Sequence, residues 1–361
     1  MKKILILHTS VGLGHKMIAE NLGAAFARGG FEVKTEDIGK IQKGKFQRSL
    51  VSVHQFINKR LPFVWTFLYK WGHFIFLPFR VFIAGFNYKQ TAEIVRQFRP
   101  DVIITVQTTA SAVISYLKKK KIYQGPFGIA FSDFHLHRYW LYKQADFYLA
   151  NIEEQKKEMI NLGIPQEKIY ICGMTIKPKP EINKQAVREK FGISENEKVV
   201  LVGIGSLGIG LNLQMLENFR KNLPATLIVV CGKNEELYKQ LKVFESPKFI
   251  VLGFYNPMAE LYAIADVFIT KPGGLTTTES LQWHLPMIVT HFLPGQEELN
   301  INYLVRKNLI IMPFKNLLTQ IMEEADRHLF RRRLEVNPTV LEIVQTGELA
   351  VKVVRGMLHG L

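Results

Sequence analysis

Residues 267–290 read VFITKPGGLTTTESLQWHLPMIVT. A short apolar strand, Val267–Thr270, runs into a Lys-Pro-Gly-Gly turn. A helical stretch follows, then a second apolar strand at Met287–Thr290. A strand, a crossover helix and another strand make a parallel pair. Apolar runs without polar alternation belong to strands covered on both faces. The same grammar recurs along the chain. Further strand candidates are Lys3–His8, Val102–Val106, Phe127–Phe131, Phe147–Ala150, Ile169–Cys172, Val199–Val202, Thr226–Val230 and Phe249–Leu252. They fall into two sets, separated by the proline-rich stretch GMTIKPKP at 173–180. The pattern predicts an α/β protein of two doubly wound, Rossmann-like domains facing a cleft. Residues 1–174 form the first domain and 175–340 the second. A last helix over Leu341–Leu358 is placed to cross back to the first domain within 341–361.

The bulk composition agrees. A chain of 361 residues, 47% hydrophobic and 22% charged, can bury two cores and is not disordered. Its two cysteines, Cys172 and Cys231, match no metal spacing and point to a reducing compartment with a structural role. The start MKKILILHTS has too short an apolar run for a signal peptide, so the expected location is cytoplasmic.

Net charge is +16, and the excess is localised. Lys40–Gly125 holds fifteen Lys/Arg against two acids, which is +13 of that total. Such a field calls for an anionic partner, a membrane surface or a nucleic acid, unless it is only a solvated face. Inside it lies LPFVWTFLYKWGHFIFLPFRVFIAGF at 61–86. Lys70 and Arg80 break this stretch into uncharged runs of nine residues, well short of the roughly 20 a spanning helix needs. Pro62 and Pro78 break it further. The expectation is an interfacial segment, with Trp65, Trp71, Phe74 and Phe76 at headgroup level and Lys/Arg on the phosphates. A buried aromatic helix pair is the structural alternative. The apolar density and the lack of an RNA-binding motif argue against nucleic acid.

Ligands of doubly wound sheets bind beyond the carboxyl ends of the strands, so the loops there hold the candidate chemistry. The first is Thr9–His15, where Gly12 and Gly14 permit close approach and a helix start should keep His15 neutral, as a base. It lacks the third glycine of the dinucleotide fingerprint, having Met17 there. The second is Thr270–Glu279, whose Gly273-Gly274 helix start suits a diphosphate. Thr276 and Glu279 also have capping-box spacing, which explains the pair without a ligand. The third, Leu293–Asn300, carries amides and carboxylates able to bind sugar hydroxyls or simply to start a solvated helix. A fourth stretch, Ser132–Trp140, places Asp133 at a strand end. Its His135/His137 pair is too small a ligand set for zinc.

Taken together, GLGHKMIAENLGAAF (12–26), SDFHLHRYW (132–140), GIGSLGIG (203–210), TKPGGLTTTESLQWHLPMIV (270–289) and LPGQEELN (293–300) resemble glycosyltransferase family 28. The likeness is to its diacylglycerol glycosyltransferases and monogalactosyldiacylglycerol synthases, and covers nearly the whole chain. It implies a GT-B fold and an inverting, metal-independent hexosyl transfer from a UDP-sugar to a lipid hydroxyl. No cofactor is implied beyond the donor. By resemblance, Gly273, Gly274, Leu275 and Thr276 hold the diphosphate, with Gly14, Gly205 and Ser206 approaching it. Glu279 binds the ribose, and Phe254 lies against the uracil. Gln296, Glu297 and Asn300 hold the sugar. His15 and Asp133 are the general-base candidates, and Trp140 lies on the acceptor side. The implied partners are a UDP-sugar, a lipid acceptor and an anionic membrane surface met peripherally on its cytoplasmic side, with no nucleic acid. Ile204, Trp283-His284 and Gln107-Thr108-Thr109 depart from the family's usual residues. A transferase to a polyprenyl-linked acceptor, a UDP-sugar epimerase of the same architecture and a non-catalytic binding module are the competing readings.

Overall fold

The computed structural model describes residues 1–9, 13–41, 88–205, 212–292, 295–313 and 316–359. The chain divides into two compact units. One comprises Met1–Lys177, Pro294–Leu299 and Glu342–Leu361, the other Pro178–Leu293 and Asn300–Leu341.

In the first unit β1 (Lys3–His8) precedes α1 (Leu13–Arg28), β2 (Glu32–Asp37) and the single turn α2 (Ile38–Ile41). Then come α3 (Tyr88–Phe98), β3 (Val102–Thr105), α4 (Thr108–Lys119), β4 (Phe127–Ala130), β5 (Phe147–Ala150), α5 (Glu153–Asn161), β6 (Ile169–Ile171) and the short β7 (Met174–Thr175). Six parallel strands lie in the order β2-β1-β3-β4-β5-β6. The winding reverses between β1 and β3, so the crevice of this sheet opens where Thr9 and Val106 leave it. The strands are apolar because both faces are covered: Leu5, Leu7, Ile103, Phe127 and Ile129 are fully buried.

The second unit runs α6 (Lys184–Lys190), β8 (Val199–Gly203), α7 (Leu213–Asn222), β9 (Thr226–Val230), α8 (Glu235–Lys242), β10 (Phe249–Leu252), α9 (Met258–Ile264), β11 (Val267–Thr270), α10 (Gly274–Gln282) and β12 (Met287–Val289). The helices α11 (Gln296–Arg306), α12 (Leu317–Arg327), α13 (Leu329–Glu335) and α14 (Pro338–Ile343) follow, the first four residues of α11 and the last two of α14 being grouped with the first unit. Asn183, Asn212, Asn234 and Asn316 cap α6, α7, α8 and α12, each accepting from a first-turn amide. Five parallel strands lie in the order β10-β9-β8-β11-β12, with the reversal between β8 and β11. The chain then returns to the first unit. β13 (Val344–Gln345) pairs with β7, and α15 (Glu348–His359) packs on α1, where Arg28 donates to the Thr346 carbonyl at 2.9 Å.

Every apolar run read as a strand is one, with ends shifted by at most one residue. The reading missed β2, EVKTED, because an edge strand need not be apolar. Its six residues are all half-buried. Among the described residues no helix is long and apolar enough to cross a membrane. Trp65, Trp71, Phe74 and Phe76 lie outside the described residues, as does Ser206.

Candidate functional site

The first unit gathers its chemistry beyond β1 and β4. His15 lies in the first turn of α1, and its Nε2 is 3.3 Å from the Ser132 hydroxyl. Ser132, in the loop after β4, also donates to Asp133 Oδ2 at 3.3 Å. Desolvation of the ring pushes the His15 pKa down. Asp133 pulls it upward, and His8 adds to the lowering. The ring is therefore neutral near pH 7 and able to take a proton. The helix start supplied the expected direction, but burial is its largest cause.

The Ser132–His135 loop is held from below. Asn151, just past β5, donates to the carbonyls of Phe131 and Asp133 at 3.2 and 2.9 Å. Gln155 of α5 donates to those of Asp133 and His135 at 2.8 and 3.0 Å, and accepts from the Asn151 amide at 2.8 Å. Both amide side chains are buried. Nothing in a single-sequence pattern marks this clamp, whose residues are two ordinary amides at a helix start.

Trp140, expected on the acceptor side, lies beside His15. It is 8% exposed and packs in the core, with ring centroids 5.5 Å from Phe131 and 6.3 Å from His15. It forms a wall beside the histidine. Gln107, where the resemblance leads to expect a different pair, caps α4 by accepting from Thr109 and Ala110 amides at 2.6 and 3.3 Å. His137 accepts from the Tyr139 amide at 3.2 Å as the cap of a 3-10 turn, which uses one nitrogen of the His135/His137 pair. Cys172 and Cys231 are free, and burial pushes their thiols up to about 12 and about 11, so both stay protonated and inert.

In the second unit the candidate loops leave adjacent strands at the reversal point. After β8, Gly205 turns with φ +70°, and a Cβ there would lie 2.8 Å from Lys271 Cε. The left-handed φ favours glycine, and a side chain there would have to push the flexible end of Lys271 aside. Ile204, where glycine was expected, is 1% exposed in the core of this unit. After β11, the helix α10 begins at Gly274 with Gly273 as N-cap and no side-chain cap. The capping-box reading is thus corrected: the helix starts before Thr276, and Glu279 faces Tyr262, whose hydroxyl donates to Oε2 at 3.3 Å. Burial raises the Tyr262 hydroxyl well above its ordinary range, so it remains a donor.

No described atom lies within 4 Å of a Cβ built at Gly273, or at Gly14 in the first unit. Neither has positive φ. Local packing therefore does not require glycine at either place. The α10 start has Gly274, Leu275 and Thr276 in its first turn and no side-chain cap on its amides, which is the arrangement that suits an anion. Lys271 adds a cation beside it, and His291, after β12, feels that charge. Burial and Lys271 hold its pKa down to about 4. Lys271 stood inside the quoted turn without being singled out. His291 carried no signal but its place after a buried strand.

Phe254 follows β10 and is 58% exposed, with Lys233 Nζ 5.9 Å from its ring centroid. An exposed aromatic at a strand's carboxyl end is a stacking platform. If it lies against a uracil, as the resemblance implies, Phe254→Ala should weaken UDP binding about five- to hundredfold, the range for one base–aromatic stack. Calorimetric titration giving wild-type affinity would remove Phe254 from the site.

Gln296 opens α11. Glu297 is 5% exposed, and Asn300 is fully buried, its amide donating to the Pro272 carbonyl at 3.1 Å. Asn300 thus pins the turn that precedes α10.

Known proteins resemble this chain along its length. The family described as monogalactosyldiacylglycerol (MGDG) synthase matches residues 15–176, and the glycosyltransferase family 28 C-terminal domain matches 199–331. The processive diacylglycerol beta-glucosyltransferase of Bacillus subtilis is 30% identical over 84% of this chain and 81% of its own. The Bacillus cereus (strain B4264) protein of that name is 27% identical over 86% and 81%. Among solved structures, the glycosyltransferase SnogD of Streptomyces nogalater superposes with a TM-score of 0.63 at 14% identity, covering 98% of this chain and 99% of its own. S. aureus MnaA with UDP gives 0.62 at 12%, covering 98% and 95%. Acinetobacter baumannii MurG gives 0.59 at 14%, covering 99% and 100%.

Proposed function

Since this chain belongs to glycosyltransferase family 28, with a GT-B fold of two Rossmann-like α/β units, we propose that it moves a hexose from a UDP-sugar to a lipid hydroxyl. The acceptor is diacylglycerol or a glycosyl-diacylglycerol, met at the cytoplasmic face of a membrane. The observation that carries the donor half is the bare start of α10, where Gly273 leaves an open approach to first-turn amides. The acceptor half rests on the names of the Bacillus relatives.

In this reaction the lipid oxygen attacks the anomeric carbon as the bond to the UDP oxygen breaks, with inversion. UDP keeps the electron pair. Backbone amides of α10 and Lys271 meet the charge that develops on it, so the reading needs no metal ion. Glu279 holds the ribose and Phe254 the uracil. The hydroxyl proton goes to neutral His15, and Asp133 stabilises the resulting imidazolium.

Incubating the protein with each UDP-sugar and a lipid panel, then weighing the lipids by mass spectrometry, tests this directly. A lipid heavier by one or more hexoses is expected, in chelator as well as without it. Release of an altered free sugar from the donor alone would favour the epimerase reading instead. For the membrane, joint replacement of Trp65, Trp71, Phe74 and Phe76 by serine should abolish co-sedimentation with anionic liposomes while sparing UDP binding. Undiminished sedimentation would refute the docking role of that segment.

A further inference from the structure

We infer that Ser132 is a positioning residue that fixes the tautomer of His15, leaving Nδ1 as the basic nitrogen. The proposal rests on the reading of His15 as base. Ser132 is 8% exposed, and its single hydroxyl lies 3.3 Å from both His15 Nε2 and Asp133 Oδ2. A hydroxyl has one proton to give, and an ionised carboxylate can only accept. The proton therefore goes to Asp133, and the Ser132 oxygen is left to accept. The partner on its other side must then be a donor, so Nε2 carries hydrogen and the free lone pair is on Nδ1.

The arrangement is not incidental to a loose loop. Five hydrogen bonds of 2.8–3.2 Å tie Asn151 and Gln155 to each other and to the carbonyls on either side of Ser132. The serine is held where it meets His15 across 117 residues of sequence. During transfer, the acceptor O–H bond breaks and its proton forms a bond to Nδ1. The imidazolium so formed keeps its Nε2–H on Ser132, which passes the charge's influence to Asp133 without itself changing protonation. The titratable groups that act on His15 are Asp133 and His8.

Nitrogen-15 spectra of the histidine-labelled full chain, with His15 assigned by His15→Gln, read the tautomer without any substrate. The wild type should show Nε2–H with unprotonated Nδ1 at neutral pH, and Ser132→Ala should shift the ring toward a tautomer mixture. An Nδ1–H wild type, or an unchanged pattern in Ser132→Ala, would overturn the assignment. In turnover assays Ser132→Ala should lower kcat about ten- to hundredfold, the range for losing a charge-linked hydrogen bond, with KM for the UDP-sugar unchanged. Ser132→Thr, which keeps the hydroxyl, should restore most of it. Equal losses in Ser132→Ala and Ser132→Thr would count against the bridge. Wild-type turnover in His15→Ala would instead sink the base reading while leaving the tautomer result standing.

Discussion

Replacing His15 by alanine is expected to lower kcat about 10²–10⁴-fold, the usual contribution of a general base, while UDP affinity stays within about twofold. The reason lies in where the residue sits. His15 is in the first unit beside Ser132 and Asp133, whereas the amides of α10 and the ring of Phe254 belong to the second. Loss of a proton acceptor leaves nucleotide binding intact. The pH profile carries a sign that can be checked. Desolvation holds the His15 pKa below 6.5, so the ring loses its base function only as pH falls through that lowered value. Asp133 opposes the lowering. Asp133→Asn should therefore move the acid limb of kcat/KM to lower pH while reducing the plateau. A limb that moves upward, or His15→Ala and Asp133→Ala enzymes with wild-type turnover, would refute the assignment.

A side chain at Gly273 is the second large effect. Its Cβ would meet no described atom within 4 Å, and its φ of −70° is open to any residue. Glycine to alanine at an N-cap costs the fold on the order of 1 kcal/mol or less, a small shift in Tm for a unit of this size. The same carbon would be added at the N-cap of the helix whose first-turn amides are proposed to hold the diphosphate. Gly273→Val should cut kcat about 10²–10³-fold, the scale for losing one preorganised donor to developing charge, and weaken UDP binding in parallel. Gly273→Ala should fall between. A Tm loss without loss of UDP affinity would show that glycine serves packing there and not the ligand.

Much of this molecule was readable from local pattern. Parallel strands covered on both faces are apolar along their length, so Ile4–Leu7, Val199–Val202 and Val267–Ile269 announced themselves. The loops that matter follow strands and open helices, and their glycines, His15 and Asp133 stood out for that reason. What pattern could not supply was partnership. Thr276 and Glu279 have the spacing of a capping box, yet the helix begins at Gly274, so Thr276 already lies in its first turn, and Glu279 accepts from the Tyr262 hydroxyl. Asn300 stood among polar neighbours, and only the fold showed that its amide donates to the Pro272 carbonyl. Trp140 read as an acceptor-side aromatic, and the structure adds that it is buried beside His15, which no local pattern showed. The charged edge strand β2 was invisible to a search for apolar runs.

The sequence by itself determined the α/β class, the two sheets and the strand ends at which chemistry is concentrated, because apolar periodicity and glycine-bearing turns act within a few residues. The tertiary structure alone decided strand order, and with it which distant side chains meet. Placing β1 beside β3 and β3 beside β4 brings His15 to Ser132, and the buried amides of Asn151 and Gln155 hold that loop in place. Hydrogen bonds of that kind depend on long-range packing, which no local run of residues encodes.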